Sequence, residues 1–499
     1  MSKASKNREI TRPQVNINDL DEIVGAGNVS DTSSLLDEYS RDLSFSRACS
    51  PSFIVKPGNN QEVAELIKWA NLTLVPLIPV SSGPPRFRGD TVPVMGGVVV
   101  DLSRMNRVLR VDRRNRVAMI EPGVTFGSLQ SEINSQSMKV SMPLAPRKTK
   151  SIVGSYLERE PILIPRHHWD MSDPLCCLEV VFGTGDLFIT GAAAGPGTIE
   201  QQRSAGQAQK NPLGPGQSDL FRVVQGSQGG IGIVTWATVR LELKPSIQEL
   251  FMVCCEKIEE VIESVYRMQR LKLGEECLIL NRLNLASILK GDPESIKDLY
   301  DKLPPWMLIF VVAGYERLPE KRLLYQKKDI MDIVRGMGLQ PHEKMNDIDS
   351  DKLLKAIQSV SSDPYWKLRY KGNSADIFFL TTLNRSPDFA KIMGEAANTT
   401  GFPANNIGGY IQPIQQGRSI HMEFNLYFDP GNTRETEMAR ETFNRASVAF
   451  QNRGAFFSRP YGTWWDMVKN GGAENVIALR KVKNIFDPNN ILNPGRLFT

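Results

Sequence analysis

The sequence predicts an α+β protein of two domains, and three observations predict it: short β-branched runs broken by Gly, Pro or Asp fill the first half, the texture shifts at Lys244-Pro245, and long helical periods alternate with apolar strands beyond it. Residues 1–45 are polar and mixed, with one helix expected around Asp31 to Ser40, and read as an N-terminal arm laid on the first domain. From Phe53-Ile54-Val55 the pattern becomes regular. That strand, a helix over Gln61 to Ala70 with Val63, Leu66, Ile67 and Ala70 on one face, and an extended Val75 to Val80 make a βαβ unit. Further strands are predicted at Gly97 to Leu102, Val108 to Val111, Val117 to Glu121, Leu178 to Phe182, Leu187 to Thr190 and Gly232 to Leu243. Beyond 245, helical periods at Glu256 to Leu273, Lys321 to Met337, Thr433 to Asn452 and Ala473 to Phe486 alternate with apolar runs at Leu250 to Cys255, Met307 to Ala313, Ile377 to Thr381 and His421 to Phe428. The expected division is a first domain over 46–245, a second over 246–472 and a return of 473–499 to the first, with Gly191 to Gly216 as a long surface loop.

Composition removes several function classes. With 499 residues, 41% hydrophobic and 23% charged, the chain is ordinary soluble globular material. The net charge of +5 is small and its basic residues are scattered rather than gathered with aromatics, so nucleic acid is not an expected partner. No apolar run is long enough to span a bilayer, and Met1 to Lys6 is polar, so a cytoplasmic location is expected. The six cysteines, at 49, 176, 177, 254, 255 and 277, lack zinc-knuckle or CxxC spacing and read as free buried thiols. No His or carboxylate pair has ligand spacing with a third partner, so no metal site is expected.

The chemistry-bearing pattern is a spaced set of small-residue turns. Gly226-Ser227-Gln228-Gly229-Gly230-Ile231-Gly232 runs straight into the β-branched Ile233-Val234-Thr235. With Glu121-Pro122-Gly123-Val124 and the run from Ser81-Ser82-Gly83 to Arg88-Gly89-Asp90, it offers glycines and backbone N–H groups that can wrap a dinucleotide without the usual nucleotide-binding helix. An Arg-rich surface turn is the plainer reading of residues 81–90. In the second domain, alternation places His421, Glu423 and Asn425 on one strand face, facing either a cavity or solvent. His342 lies in a polar stretch and reads as surface, while His167 and His168, in Arg166-His167-His168-Trp169-Asp170, suit a site or a structural role equally.

In this order the motifs resemble the flavin-dependent oxidoreductases of the vanillyl-alcohol oxidase and p-cresol methylhydroxylase type. The resemblance is densest in Gly96 to Val108, Ile120 to Phe126 and the Gly226 to Thr235 turn, extends through Ser151 to Arg159, and ends with Phe486-Asp487-Pro488-Asn489-Asn490-Ile491-Leu492-Asn493-Pro494-Gly495-Arg496. It implies a p-cresol methylhydroxylase-type FAD-binding domain of two subdomains over 46–245 with 473–499, and an α/β cap domain whose antiparallel sheet is covered by helices. It further implies hydride transfer from an alcohol or alkyl-aromatic carbon to flavin.

The resemblance assigns cofactor contacts to Ser81, Ser82, Gly83, Arg86, Phe87, Arg88, Gly89 and Asp90 of the first loop, and to Pro122 and Gly123. It adds Ser151, Val153, Gly154, Ser155 and Glu158 of the flavin-side loop, Gly229, Gly230, Gly232, Ile233 and Val234 of the glycine turn, and Asn493 and Arg496 of the tail. Catalytic candidates are Arg459 and Tyr461 in Arg459-Pro460-Tyr461-Gly462-Thr463-Trp464-Trp465, then His421, Glu423, Tyr410 and His168, with Asp173 beside them. Arg459 would stabilise the reduced flavin or an anionic substrate, and Tyr461 would hydrogen bond the reacting oxygen. FAD is expected to be noncovalent, because Arg86-Phe87-Arg88 stands where some relatives carry a flavin-linked histidine and Ile407-Gly408-Gly409-Tyr410-Ile411-Gln412-Pro413 lacks the cap histidine. A phenolate-holding tyrosine is replaced by Phe87 or Arg88, and a carboxylate near the flavin by Arg147. Some of Arg86, Arg88, Arg147, Arg166 and Arg459 would then form a basic pocket for an anionic small-molecule substrate.

Two other readings stand beside this one: a dehydrogenase of 2-hydroxy acids such as lactate or glycolate, and a flavin-free scaffold subunit of a larger complex. An electron-acceptor subunit (cytochrome, iron–sulfur protein or electron-transferring flavoprotein) and a homo-oligomer, such as a dimer, are the partners that the resemblance implies.

Overall fold

The computed structural model describes residues 16–165, 173–190, 198–204, 220–345 and 348–497. Its first sheet runs in the order Val29–Ser30, Phe53–Val55, Val98–Asp101, Leu77–Val80, with the last three strands parallel. The helix Asn60–Thr73 is the crossover of the expected βαβ unit, and the Asn59 side chain caps it by accepting from Glu62 N at 2.9 Å. Val63, Leu66, Ile67 and Ala70 pack on Val55, Leu77, Val98 and Val100. The arm joins this layer: Leu20 and Val24 of the helix Ile17–Val24 enter the same core.

The second sheet is antiparallel, with the 12-residue strand Gly232–Leu243 at its centre. Leu175–Phe182 flanks it on one side, and Val117–Ile120 and Met138–Val140 pair with it on the other. Nearly every residue of that strand is buried, as a β-branched apolar run requires when both of its edges are paired. The short helices Phe126–Ile133 and Ile152–Leu157 cover its core.

The second domain is built on a seven-stranded antiparallel sheet ordered Pro341–His342, Ile247–Cys255, Trp306–Gly314, Glu276–Asn281, Ile407–Ile414, Ser419–Phe428, Asn373–Thr381. One face packs on the helices Glu259–Arg270, Pro319–Gly336, Ser386–Thr400 and Thr433–Asn452, and the other on Arg282–Leu289, Pro293–Lys302 and Ser350–Ile357. On the strand Ser419–Phe428, Met422, Phe424, Leu426 and Phe428 belong to the first of these cores. His421, Glu423, Asn425 and Tyr427 therefore point the other way. Register sets Asp376 opposite Asn425, Tyr410 opposite Glu423 and Gln412 opposite His421, so these polar groups share one sheet face.

Helix and strand ends differ from expectation by a few residues, and some elements were not expected at all. Glu276–Asn281 and Ile407–Ile414 are strands, and Ser386–Thr400 is a helix. Gly408, Gly409 and Pro413 read as breakers, yet the glycines stand where partners press on a central strand. A Cβ on Gly408 would lie 2.0 Å from Asn284 Oδ1, and one on Gly409 2.5 Å from the Trp306 ring. The expected loop at 191–216 falls largely outside the described residues, but Ile199–Ser204 within it is helical. The tail returns to the first half through the helix Ala473–Phe486. Phe486 stacks 4.4 Å from Phe182, and Lys483 Nζ donates to Gly230 O at 2.5 Å, Asp487 Oδ2 at 2.5 Å and Leu492 O at 2.8 Å.

Candidate functional site

A cleft enclosing about 1230 Å³ runs between the small-residue loops of the first domain and the polar face of the second-domain sheet. Its floor is a clamp. Ser82 Oγ accepts from Ser151 N at 3.0 Å and Gly83 N donates to Thr149 O at 3.1 Å. Ser151 Oγ donates to Pro122 O at 2.5 Å while capping the helix Ile152–Leu157 through Gly154 N at 3.0 Å. Gly154 lets Ser81 approach, since a Cβ there would sit 2.7 Å from Ser81 Oγ. The glycine turn lies above the clamp. Gly229 has φ +71° and a Cβ on it would lie 2.4 Å from Pro79 Cγ, so this site admits no side chain. Asn493 Nδ2 donates to both Asp90 O and Gln228 O at 2.8 Å and ties the first loop to the turn.

The opposite wall, formed by the seven-stranded sheet and the turn at 366–368, is charged and closely paired. Lys367 Nζ donates to Asp376 Oδ2 at 2.6 Å and Glu423 Oε1 at 2.5 Å. Asn425 Nδ2 bridges the same carboxylates, at 2.7 Å from each. Burial pushes Glu423 upward, but Lys367 and His421 outweigh it and hold this carboxyl below the usual range, while Lys367 is held well above its own. His421 Nε2 lies 3.2 Å from Glu423 Oε2, and burial lowers its pKa to about 4, so the ring is neutral at neutral pH. Its Nδ1 faces Arg459 Nη2 at 3.5 Å.

The cations of the cleft differ in how they are satisfied. Arg88 pairs with Glu158, and with Glu160 at 2.6 Å, and Lys150 reaches the same two carboxylates at 3.2 and 3.1 Å. Arg86 donates to Glu38 O at 2.8 Å and stacks 4.2 Å over the Tyr39 ring. Arg147 lies 6.0 Å from the Phe87 ring, and burial lowers its pKa. Arg459 stacks 4.1 Å over Phe378, with Nε and Nη1 buried and unpartnered. Burial raises Asp90 to about 6, with Glu158 adding to the effect, and raises the Tyr461 phenol well above its ordinary value.

Of the residues singled out from the sequence, Ser81, Ser82, Arg86, Phe87, Arg88, Asp90, Pro122, Val153, Gly154, Glu158, Gly229, Gly232, Ile233, Val234 and Tyr461 line this cleft. Others stand behind it. Gly83, Ser151 and Asn493 hold the loops together, and Gly123 packs on backbone, with Leu102 O 2.8 Å from a Cβ. Gly230 is turned to Lys483, Gly89 N donates to Asp42 Oδ2 at 2.5 Å, and Ser155 Oγ donates to Glu160 at 2.5 Å. Arg496 Nη2 donates to Val92 O at 2.5 Å and borders an adjoining cleft. His421, Glu423 and Arg459 stand behind the charged wall, and Tyr410 is buried, its hydroxyl given to Gln412 at 3.0 Å. Asp173 is buried against Gln225, and His168, with Arg166, lies outside the described residues.

Sequence reasoning missed Lys367, Asp376, Tyr365, Lys150 and Glu160, all of which line the cleft. Asp376 follows the same alternation as His421, but a signal for it appears only once the strand Asn373–Thr381 is registered against its partner.

The chemistry of this donor set fits a dinucleotide: glycines that admit no Cβ, a buried arginine nitrogen on Arg86 with no partner, and two clamped loops of small residues. Comparison with known proteins agrees. Residues 51–191 match the FAD binding domain family, and residues 465–497 match the C-terminal domain of FAD linked oxidases. The flavoprotein subunit of 4-cresol dehydrogenase (hydroxylating) from Pseudomonas putida is 24% identical over 478 residues, covering 90% of this chain and 88% of that one. D-2-hydroxyglutarate dehydrogenase from Stutzerimonas stutzeri strain A1501 is 27% identical over 495 residues, covering 97% and 98%. The crystal structure of p-cresol methylhydroxylase with substrate bound superposes with a TM-score of 0.81 at 21% identity, covering 97% of this chain and 96% of that one. The chain is an FAD-linked oxidoreductase. Its architecture and its FAD-binding domain are of the p-cresol methylhydroxylase type.

Proposed function

We propose that the protein oxidises a small substrate at an alcohol or alkyl-aromatic carbon, with residues 46–245 and 473–499 holding FAD noncovalently and residues 246–472 forming the cap over the reacting end. The observation that carries this reading is the cleft itself, with a small-residue cradle on one side and, on the other, Asp376 of the polar sheet face together with Lys367 and Tyr461 from the turns beside it. FAD, when bound, supplies the acceptor for the hydride.

The chain's own residues orient the substrate and set charge. Tyr461 stays protonated, because burial raises its phenol, and donates a hydrogen bond to the substrate oxygen. Arg459 stands behind it with two unpartnered nitrogens and favours negative charge developing nearby. His421, fixed neutral between Glu423 and Arg459, aims that guanidinium. Arg88 stacks 5.2 Å over Phe378 and 5.4 Å over Tyr461, but its charge is already balanced by Glu158 and Glu160. Electrons then pass to an acceptor partner, a role that the word "subunit" in the 4-cresol relative's name favours. The whole-length likeness to D-2-hydroxyglutarate dehydrogenase favours a second reading, oxidation of a 2-hydroxy acid.

The test is the visible spectrum of the purified protein, followed by acid precipitation. Yellow FAD released at about one per chain, bleached by an alcohol substrate under anaerobic conditions, is the expected result. A coloured pellet would overturn the noncovalent attachment, and a colourless chain that takes up no FAD would overturn the function in favour of a scaffold.

A further inference from the structure

Among the described residues, Arg86, Arg88, Arg147, Lys150 and Lys367 are the cations that line the cleft, and all but Arg147 have at least one partner in the protein, although Arg86 keeps Nη1 without one. Arg88 and Lys150 share Glu158 and Glu160, Lys367 is held by Asp376 and Glu423, and Arg86 donates to the Glu38 carbonyl. Arg147 differs. Among the described residues its guanidinium has no carboxylate within ion-pair distance and no hydrogen bond, and its Nε is buried without a partner.

The position of Arg147 is nevertheless fixed by its neighbours. Its backbone bridges to Ser361 of the second domain, Ser361 N donates to Pro146 O at 2.8 Å, and Lys148 pairs with Asp363 at 2.7 Å. Tyr365 lies beside it, ring centroid 5.7 Å from Phe87, and its hydroxyl has no hydrogen bond among the described residues. A guanidinium nitrogen withdrawn from water without a hydrogen bond is costly, the carboxylates of Glu158 and Glu160 act on Arg147 only from beyond pairing distance, and a planar oxyanion would satisfy it through parallel N–H bonds. Arg147 sits at the seam with the second domain, whereas the glycine turn is held from the other side by Pro79 and Lys483. That places it where a substrate is held rather than where the diphosphate is cradled.

We infer that Arg147 and Tyr365 form an anion subsite that receives the carboxylate of the substrate, which makes the substrate class a carboxylate-bearing alcohol or alkyl-aromatic acid rather than a neutral phenol. The inference rests on the flavoenzyme reading above and narrows it. Arg147 contributes a bidentate charge-assisted contact, and Tyr365, whose phenol burial raises to about 12, donates as a neutral hydroxyl.

The experiment titrates the flavin-loaded protein with benzoate and, separately, with benzyl alcohol, by calorimetry and by perturbation of the flavin spectrum. Benzoate is expected to bind at least tenfold more tightly than benzyl alcohol. Arg147→Met is expected to remove that preference while FAD content per chain stays the same, and Arg147→Lys to restore part of it. Equal binding of the two probes, or benzoate affinity unchanged in Arg147→Met, would overturn the subsite and leave the flavoenzyme reading standing. Loss of FAD from Arg147→Met would overturn it too, by assigning the arginine to the cofactor. A wild-type chain that takes up no FAD refutes the function itself, and with it the inference.

Discussion

Replacing Lys367 with Met removes one cation from between the buried carboxylate of Glu423 and the part-buried carboxylate of Asp376. Lys367 Nζ lies 2.6 Å from Asp376 Oδ2 and 2.5 Å from Glu423 Oε1, and the amide nitrogen of Asn425 then remains as their shared donor, 2.7 Å from each. Breaking a buried pair by removing one partner costs about 3–5 kcal/mol, because the remaining charge is left desolvated. Here two like charges remain, so one of them must take up a proton near neutral pH. In the variant that carboxyl has a folded pKa above its unfolded value of about 4.3. Its stability contribution is therefore present at low pH and lost as pH rises. In the wild type, Glu423 is held below its ordinary value and contributes in the opposite sense, above the unfolded pKa. The gap between Lys367→Met and wild type should thus be widest at pH 7.5 and should narrow towards pH 5. Denaturant unfolding of the flavin-loaded proteins, followed by tryptophan fluorescence at both pH values, reads the difference. Lys367→Met/Glu423→Gln should recover about half of the loss, since one uncompensated charge is gone. A single variant within about 1 kcal/mol of wild type at pH 7.5, or an equal loss at both pH values, would refute the reasoning.

Gly229→Val should leave the protein folded but without FAD, because a Cβ there meets Pro79 at 2.4 Å and φ is +71°; flavin absorbance per chain is the check. His421→Asn should flatten the acid side of the stability profile. The folded pKa of about 4 lies below the unfolded value, so the wild type loses about 2 kcal/mol as pH falls from 7.5 to 5, and the variant should lose less over the same interval. Lys483→Met should release the tail, since it strips the cation from buried Asp487 and a donor from Gly230 and Leu492; limited proteolysis should then cut near residue 487, and FAD content should fall.

Much of the fold was legible because it is local. The strand Gly232–Leu243 and the helices Thr433–Asn452 and Ala473–Phe486 follow directly from unbroken apolar periods. The strand Ile407–Ile414 was not, because its glycines serve Asn284 and Trp306, which arrive from distant parts of the chain. The candidate site divides in the same way. Small residues announce a cradle wherever they cluster, so the glycine turn and the Ser81–Asp90 loop were readable. Lys367 and Asp376 carry no such mark, since only the register against Glu423 and Asn425 makes them a site. The weight of Arg147 likewise comes from the lack of a direct partner, and that is known only once Glu158, Glu160, Asp376 and Glu423 are seen to pair with Arg88, Lys150 and Lys367.

The tail has a consequence for the order in which this protein is made. Lys483 reaches Gly230, Asn493 joins Asp90 to Gln228, and Ile491 O accepts from Leu77 N, so the last turns of chain fasten loops synthesised some 250 to 415 residues earlier. The first domain can thus collapse during translation, but its cofactor cradle is drawn shut only when residues 483–493 have left the ribosome. A chain interrupted late in synthesis would emerge with most of its core and without the latch, and would fail by not retaining its cofactor rather than by turning over slowly.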